Sequence, residues 1–440
     1  MRPAPVATPV PTAAAGSGTG LRKAIIGSFV GTSIEWYDFF LYGSAAALIF
    51  NKVFFPDVDP LTGTLLSFAT YAVAFIARPL GGILFGYLGD RHGRKSTLMA
   101  TLMLMGLSTF LMGLLPGYGT LGIAAPLLLV VLRFCQGLGL GGEWGGAVAI
   151  VAEHGEASGG AARRGYYASW PQIGMPMGNL LAVGALALAN AVLSEDAFSA
   201  WGWRIPFLLS ALLIGVGFWI RKTVEESPLF KEIAEQPASH HPLREVFRTQ
   251  RKPLLVTIGM RIASDVSYYT FALFSITYVT QQLELERSLV LNGVIVASVF
   301  QLVAIPAFAV LSDRVGRRPV YLAGAAAVGL WGFAFFPLLD TGSAGAAILA
   351  ITVGLVGQAA MFGPMGAYIT ELFPTNVRYS GSSIGYQLAG IAGGSVAPLI
   401  GVALLSSFGT GQAVAGYSAL ASLITIAAVC WSKETSKELL

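Results

Sequence analysis

Gly86-Tyr87-Leu88-Gly89-Asp90-Arg91-His92-Gly93-Arg94-Lys95 is echoed by Ala309-Val310-Leu311-Ser312-Asp313-Arg314-Val315-Gly316-Arg317-Arg318, and each copy follows one apolar run and precedes another. The shared frame is an aspartate and an arginine, one spacer, a glycine and two basic residues. Asp90 and Asp313 lie about half of the 440-residue chain apart, so two charged hairpins occupy matching places in two halves. A repeat of this length between bilayer-spanning segments signals a duplicated helical membrane unit.

The hairpins resemble the loop of the major facilitator superfamily, Gly-x-x-x-Asp-Arg-x-Gly-Arg-Arg, which joins helices 2 and 3 and again 8 and 9. The resemblance implies an all-α membrane protein with 12 transmembrane helices in two pseudo-symmetric six-helix bundles. Composition points the same way independently. With 55% hydrophobic and 11% charged residues, and a mean hydropathy of +0.68, the chain has more apolar surface than a soluble core can hide. Only Cys135 and Cys430 are present, and His92, His154, His240 and His241 have no ligand spacing with acidic or sulfur partners. Neither a disulfide framework nor a metal site is expected. Motifs for nucleotides, zinc or a nucleophilic serine are absent, so the reading is not an enzyme, with no cofactor and no nucleic-acid partner.

Residues 1–23 are expected to be a disordered cytoplasmic tail, rich at first in Pro, Ala, Gly, Ser and Thr. Twelve spans follow at 24–50, 62–89, 96–116, 123–150, 165–192, 203–221, 254–281, 289–311, 319–338, 346–369, 379–407 and 411–431, each near the ~20 residues that cross a bilayer. They group into an N-terminal six-helix bundle, 24–221, and a C-terminal one, 254–431. A charged, proline-bearing cytoplasmic linker, 222–253, joins them, and 432–440 form a short cytoplasmic tail. Lysine and arginine crowd the loops on the side of both termini. The opposite loops hold Lys52 and Arg287, with Arg204 at a membrane edge. That bias places both termini in the cytoplasm of a multi-pass protein of the cell membrane.

Seven charges fall inside spans: Glu35, Asp38, Arg78, Arg133, Glu143, Arg261 and Asp265. Each would cost roughly 2.5 to 3.5 kcal/mol near the bilayer centre, so together they imply a polar pathway facing protein or water. Glu35 and Asp38 are three residues apart on one helical face, and Arg261 and Asp265 are four apart and able to pair. Two carboxyls on one face in low-dielectric surroundings make a proton site. Asp38 is the first choice for it, followed by Glu35, with Glu143 and Asp265 as further candidates. Arg133 and Arg261, at similar depth in opposite halves, offer forks that match a carboxylate. Tyr37, Gln136, Trp144, Gln172 and Tyr268 are the polar and aromatic groups expected beside the ligand.

Further stretches narrow the resemblance to the metabolite:proton symporters. They are Ile34-Glu35-Trp36-Tyr37-Asp38-Phe39-Phe40-Leu41-Tyr42-Gly43, Arg78-Pro79-Leu80-Gly81-Gly82, the glycine-rich run from Arg133 to Gly146, Trp201-Gly202-Trp203-Arg204-Ile205-Pro206-Phe207, and Glu371-Leu372-Phe373-Pro374-Thr375-Asn376-Val377-Arg378. The resemblance implies secondary active uptake of a small organic acid by proton-coupled symport and alternating access, with the proton as coupling ion. Efflux, uncoupled exchange, a proline- or betaine-like zwitterion symporter and a non-transporting membrane receptor are the alternatives. The expected partners are a small-molecule carboxylate and the lipid bilayer, and the expected state is a monomer. Gating is assigned to Asp90, Arg91, Gly93 and Arg94, to Asp313, Arg314, Gly316 and Arg317, and to the latch residues Glu153, Glu371 and Arg378.

Overall fold

The computed structural model describes residues 18–92, 94–141, 163–223, 242–374 and 377–437. Long helices follow one another: α1 (Gly18–Ala45), α2 (Pro60–His92), α3 (Arg94–Leu114), α4 (Ala124–Leu140), α5 (Arg164–Val192) and α6 (Arg204–Thr223). After the short helix Pro242–Thr249 come α7 (Arg251–Tyr268), α8 (Arg287–Val315), α9 (Arg317–Asp340), α10 (Ala344–Glu371), α11 (Arg378–Gly390, resuming at Ala397–Phe408) and α12 (Gly411–Trp431).

Among the described residues, α2, α5 and α8 to α12 are each long and apolar enough to cross a bilayer, and α6 joins them if its bent lead-in from Glu195 is counted. Of the others, α1 and α7 carry the buried charges Glu35, Asp38, Arg261 and Asp265, and the described apolar stretches of α3 and α4 are Met99–Leu114 and Ala124–Leu140. The span expected to continue α4 to residue 150 runs outside the described residues.

Helix packing repeats with a shift of six. α1 lies on α5 as α7 lies on α11; α2 lies on α4 as α8 lies on α10; α3 lies on α6 as α9 lies on α12. Helices of one half meet the other along two seams, α2 with α11 and α5 with α8 and α10. Within a half the approach is close: a Cβ at Gly81 would stand 2.0 Å from the Leu138 carbonyl oxygen, so α2 and α4 touch backbone to backbone. Wide π-helical turns interrupt α1 at Ala46–Phe50, α7 at Tyr269–Phe274 and α11 at Ile391–Ser395. Each sits next to the residues described below, where such turns re-aim side chains.

Candidate functional site

At 3.6 residues per turn, Glu35, Asp38, Phe39 and Tyr42 share one face of α1. They meet Tyr71, Phe75 and Arg78 of α2, themselves spaced along one face, and Arg133 of α4. Arg133 is completely buried. Its guanidinium lies 4.1 Å from the ring centre of Tyr42, 4.6 Å from Tyr71 and 4.8 Å from Phe39. One nitrogen donates to Gln136 Oε1, and Gln136 in turn donates to Thr109 Oγ1 at 2.7 Å. Nε and Nη2 of Arg133 have no hydrogen-bonding partner among the described residues. Arg78 sits in the same aromatic wall, 4.3 Å from Phe39 and 4.9 Å from Phe75. Asp38, 1% exposed, has Arg133 and Thr109 as neighbours, yet among the described residues neither carboxyl oxygen has a partner of good geometry.

The second half closes over this wall. Tyr269 places its ring 6.0 Å from Tyr71 and 6.2 Å from Phe75, and Tyr268 lies 5.0 Å from Phe40. Arg261 Nε donates to Asp265 Oδ1 at 3.1 Å, another nitrogen reaches the Tyr386 carbonyl, and the guanidinium lies 3.5 Å from the Tyr386 ring. The two arginines expected to share a substrate are therefore not equivalent. The i, i+4 spacing on α7 and a carbonyl on α11 hold the Arg261 fork, whereas the Arg133 fork keeps two nitrogens unpaired. The Tyr37 hydroxyl donates to the Pro206 carbonyl at 2.7 Å, tying α1 to α6. Gln172 donates across the halves to the Phe362 carbonyl at 3.3 Å, and the Tyr268 hydroxyl is buried without a partner among the described residues.

Polar residues that the charge-based reading passed over complete the interior. Gln301 donates to Gln358 at 2.9 Å, Gln358 donates to Ser264 at 2.9 Å, and Asn179 donates to Ser298 across the halves at 3.1 Å. Amides inside apolar spans were the available signal, because a buried amide needs a partner nearly as much as a charge does.

At one end of the bundle the second hairpin joins the halves. Asp313 accepts hydrogen bonds from the backbone N–H groups of Gly165 at 2.8 Å and Tyr166 at 3.0 Å, so a carboxylate caps the positive N-terminus of α5. Arg317 holds that carboxylate at 2.7 Å and Glu371 at 3.1 Å, and Arg164 lies 3.5 Å from Glu371. A Cβ at Gly165 would come within 2.9 Å of the Ala309 carbonyl oxygen and 2.4 Å of Arg317 Nη1, so any larger residue would have to push α5 and α8 apart. Gly316 makes the turn at φ 108°, Arg314 is exposed, and buried Arg378 donates to the Thr370 carbonyl at 3.2 Å. Gly93, Glu143, Trp144 and Glu153 lie outside the described residues. Asp90, Arg91 and Arg94 fall in α2 and α3, with side chains outside the description.

The segment after α12 docks on the same cluster. Glu434 accepts from the backbone N–H of Arg317 at 2.8 Å and of Arg318 at 3.0 Å, capping α9, and Thr435 Oγ1 donates to Glu371. Burial opposes the charge of Glu434, but the backbone donors of Arg317, Arg318 and Ser436 outweigh it and hold its pKa below the ordinary glutamate value. A depressed pKa means that docking is fully supported above the ordinary value and lost as pH falls through the lowered one. Protection of the amides of residues 433–437 against hydrogen exchange, corrected for the intrinsic slowing of exchange in acid, should therefore fall on acidification. Glu434→Gln should show weaker docking with no such pH dependence, and an unchanged acid response in that variant would remove Glu434 as its source.

Similarity to known proteins agrees with this architecture. The sequence profile described as Major Facilitator Superfamily matches residues 25–394 and 296–439. The chain is 40% identical over 420 residues to the inner membrane metabolite transport protein YhjE of Escherichia coli (strain K12), covering 94% of each chain. It is 38% identical over 421 residues to the shikimate transporter of the same organism, covering 94% of this chain and 95% of the relative. Among solved structures, the partially occluded inward-open conformation of the xylose transporter XylE from E. coli superposes with a TM-score of 0.71 at 18% identity, covering 96% of this chain and all of that one.

Proposed function

The chain belongs to the Major Facilitator Superfamily, and from that premise we propose that it takes up a small organic acid together with protons by alternating access. Its relatives and fold make it a multi-pass membrane transporter of small-molecule metabolites, not an enzyme. The finer reading rests on one observation: Arg133, wholly buried, keeps Nε and Nη2 unpaired among the described residues, beside an Asp38 carboxyl whose oxygens have no partner of good geometry there. A buried guanidinium and a buried carboxyl left open next to each other form a site for an anion on one side and a proton on the other.

Aromatic walls of this kind often receive a quaternary ammonium guest. Here Arg78 and Arg133 already occupy the faces of Phe39, Tyr42, Tyr71 and Phe75, so the protein supplies the cations and the guest is the anion. The likeness to a shikimate transporter supports the same choice, shikimate being a carboxylate. The lysine and arginine bias of the loops supports an inward-facing hairpin side with both termini in the cytoplasm. Uptake into proteoliposomes from a panel of carboxylates, zwitterions and neutral sugars, with and without an inward proton gradient, tests the proposal. Carboxylates should accumulate against their gradient only when protons are driven inward. Equal uptake of betaine-like or neutral compounds, or indifference to the gradient, would overturn it.

A further inference from the structure

Helices α5 and α8 belong to different halves and run antiparallel along one seam. At one end of the seam, Asp313 of α8 caps α5 at Gly165 and Tyr166. At its middle, Asn179 of α5 donates to Ser298 of α8. At the far end, Arg287, the first residue of α8, donates from Nε to Asn190 Oδ1 near the close of α5 and from Nη2 to Glu195 just beyond it, and its guanidinium lies 4.3 Å from the ring centre of Phe198. With a rise of ~1.5 Å per residue, Gly165 and Asn190 are ~38 Å apart, and Asn179 falls ~21 Å from the first and ~17 Å from the second. The two ties stand at opposite ends of one helix pair, with a buried hydrogen bond near the midpoint.

We propose that Arg287, with Asn190, Glu195 and Phe198, is a gating latch for the end of the transporter opposite the Asp313 hairpin, and that the seam pivots near Asn179–Ser298. The inference deepens the alternating-access reading and rests on it. Glu195 is 71% exposed, so the ion pair alone is a weak hold. The Arg287 side chain, however, is 11% exposed, and Phe198 is buried, so the planar fork is held from three sides on residues of the other half. Gln281, in the wide turn Tyr278–Gln282 that follows α7, donates to Thr64 of α2 at 2.6 Å, a second tie between the halves. Because rigid halves rock about a seam, freeing one end-tie favours opening at that end while the other remains shut.

Thiol labelling in lipid nanodiscs, in a background with Cys135→Ser and Cys430→Ser, reads this directly. Leu186→Cys reports the Arg287 side of the pivot and Ala168→Cys the Asp313 side; both residues are fully buried. In Arg287→Gln the labelling rate of Leu186→Cys should rise about tenfold, the shift expected from loss of one hydrogen-bonded latch, and that of Ala168→Cys should not rise. Asn190→Ala should do the same from the other helix, which covers the case in which Arg287→Gln fails to fold. Asp313→Asn should reverse the pattern. An unchanged Leu186→Cys rate in the folded variants, or a parallel rise at Ala168→Cys, would overturn the latch. Neither substrate nor a proton gradient is needed for labelling, so its failure is distinct from failure of the uptake test.

Discussion

Asp38→Asn should abolish accumulation of substrate against its gradient while leaving counterflow exchange measurable. Asp38 is 1% exposed, lies beside Arg133 and the Thr109 hydroxyl, and among the described residues has no partner of good geometry for either oxygen. Its carboxyl is therefore not locked in an ion pair with good geometry, which leaves it able to exchange a proton as a coupling group must. Asparagine keeps the shape and removes the titration. With coupling lost, the proton gradient can no longer shift the substrate distribution, and the accumulation ratio should fall to about one. Exchange, which needs only binding and rocking, should persist and lose its pH dependence. Uphill uptake that survives in Asp38→Asn and in Glu35→Gln alike would place the proton site elsewhere.

Arg133→Lys should weaken substrate binding by about 10- to 100-fold, the loss expected when a charged hydrogen bond worth roughly 1.5–3 kcal/mol is removed. Lysine keeps the charge against Tyr42 and Tyr71 but cannot present Nε and Nη2 as a planar fork. Arg261 should behave differently. Its fork is held by Asp265 and the Tyr386 carbonyl, so Arg261→Ala leaves a buried carboxylate unpaired and should cost about 3–5 kcal/mol of stability. Substrate affinity from equilibrium binding, set beside thermal unfolding for each variant, separates the two roles. If Arg133→Lys binds with unchanged affinity and Arg261→Ala melts normally, both assignments fail.

The sequence determined the fold because its signals are local and repeated. Apolar runs of bilayer length, a hairpin duplicated about half a chain apart and glycines along α4 each declare themselves within a few neighbouring residues, and the helices pack as two halves with a six-helix shift. It also picked out the interior charges, since a charge among apolar residues stands out at any position. Spacing along one helix was enough to expect the Arg261–Asp265 pair, but not the Tyr386 carbonyl that completes its lock. Which arginine stays open was decided by α1, α2 and α11, whose side chains and carbonyls arrive from distant parts of the chain. The same holds for the Tyr37 hydroxyl, drawn off to Pro206, and for the docking of Glu434 on α9. Arg287 looked like one of a few stray cations on a sparsely charged face. Only the antiparallel packing of α5 on α8 brings Asn190, Glu195 and Phe198 around it, because a hydrogen bond across ~90 residues of sequence depends on how two helices cross and not on what either one contains.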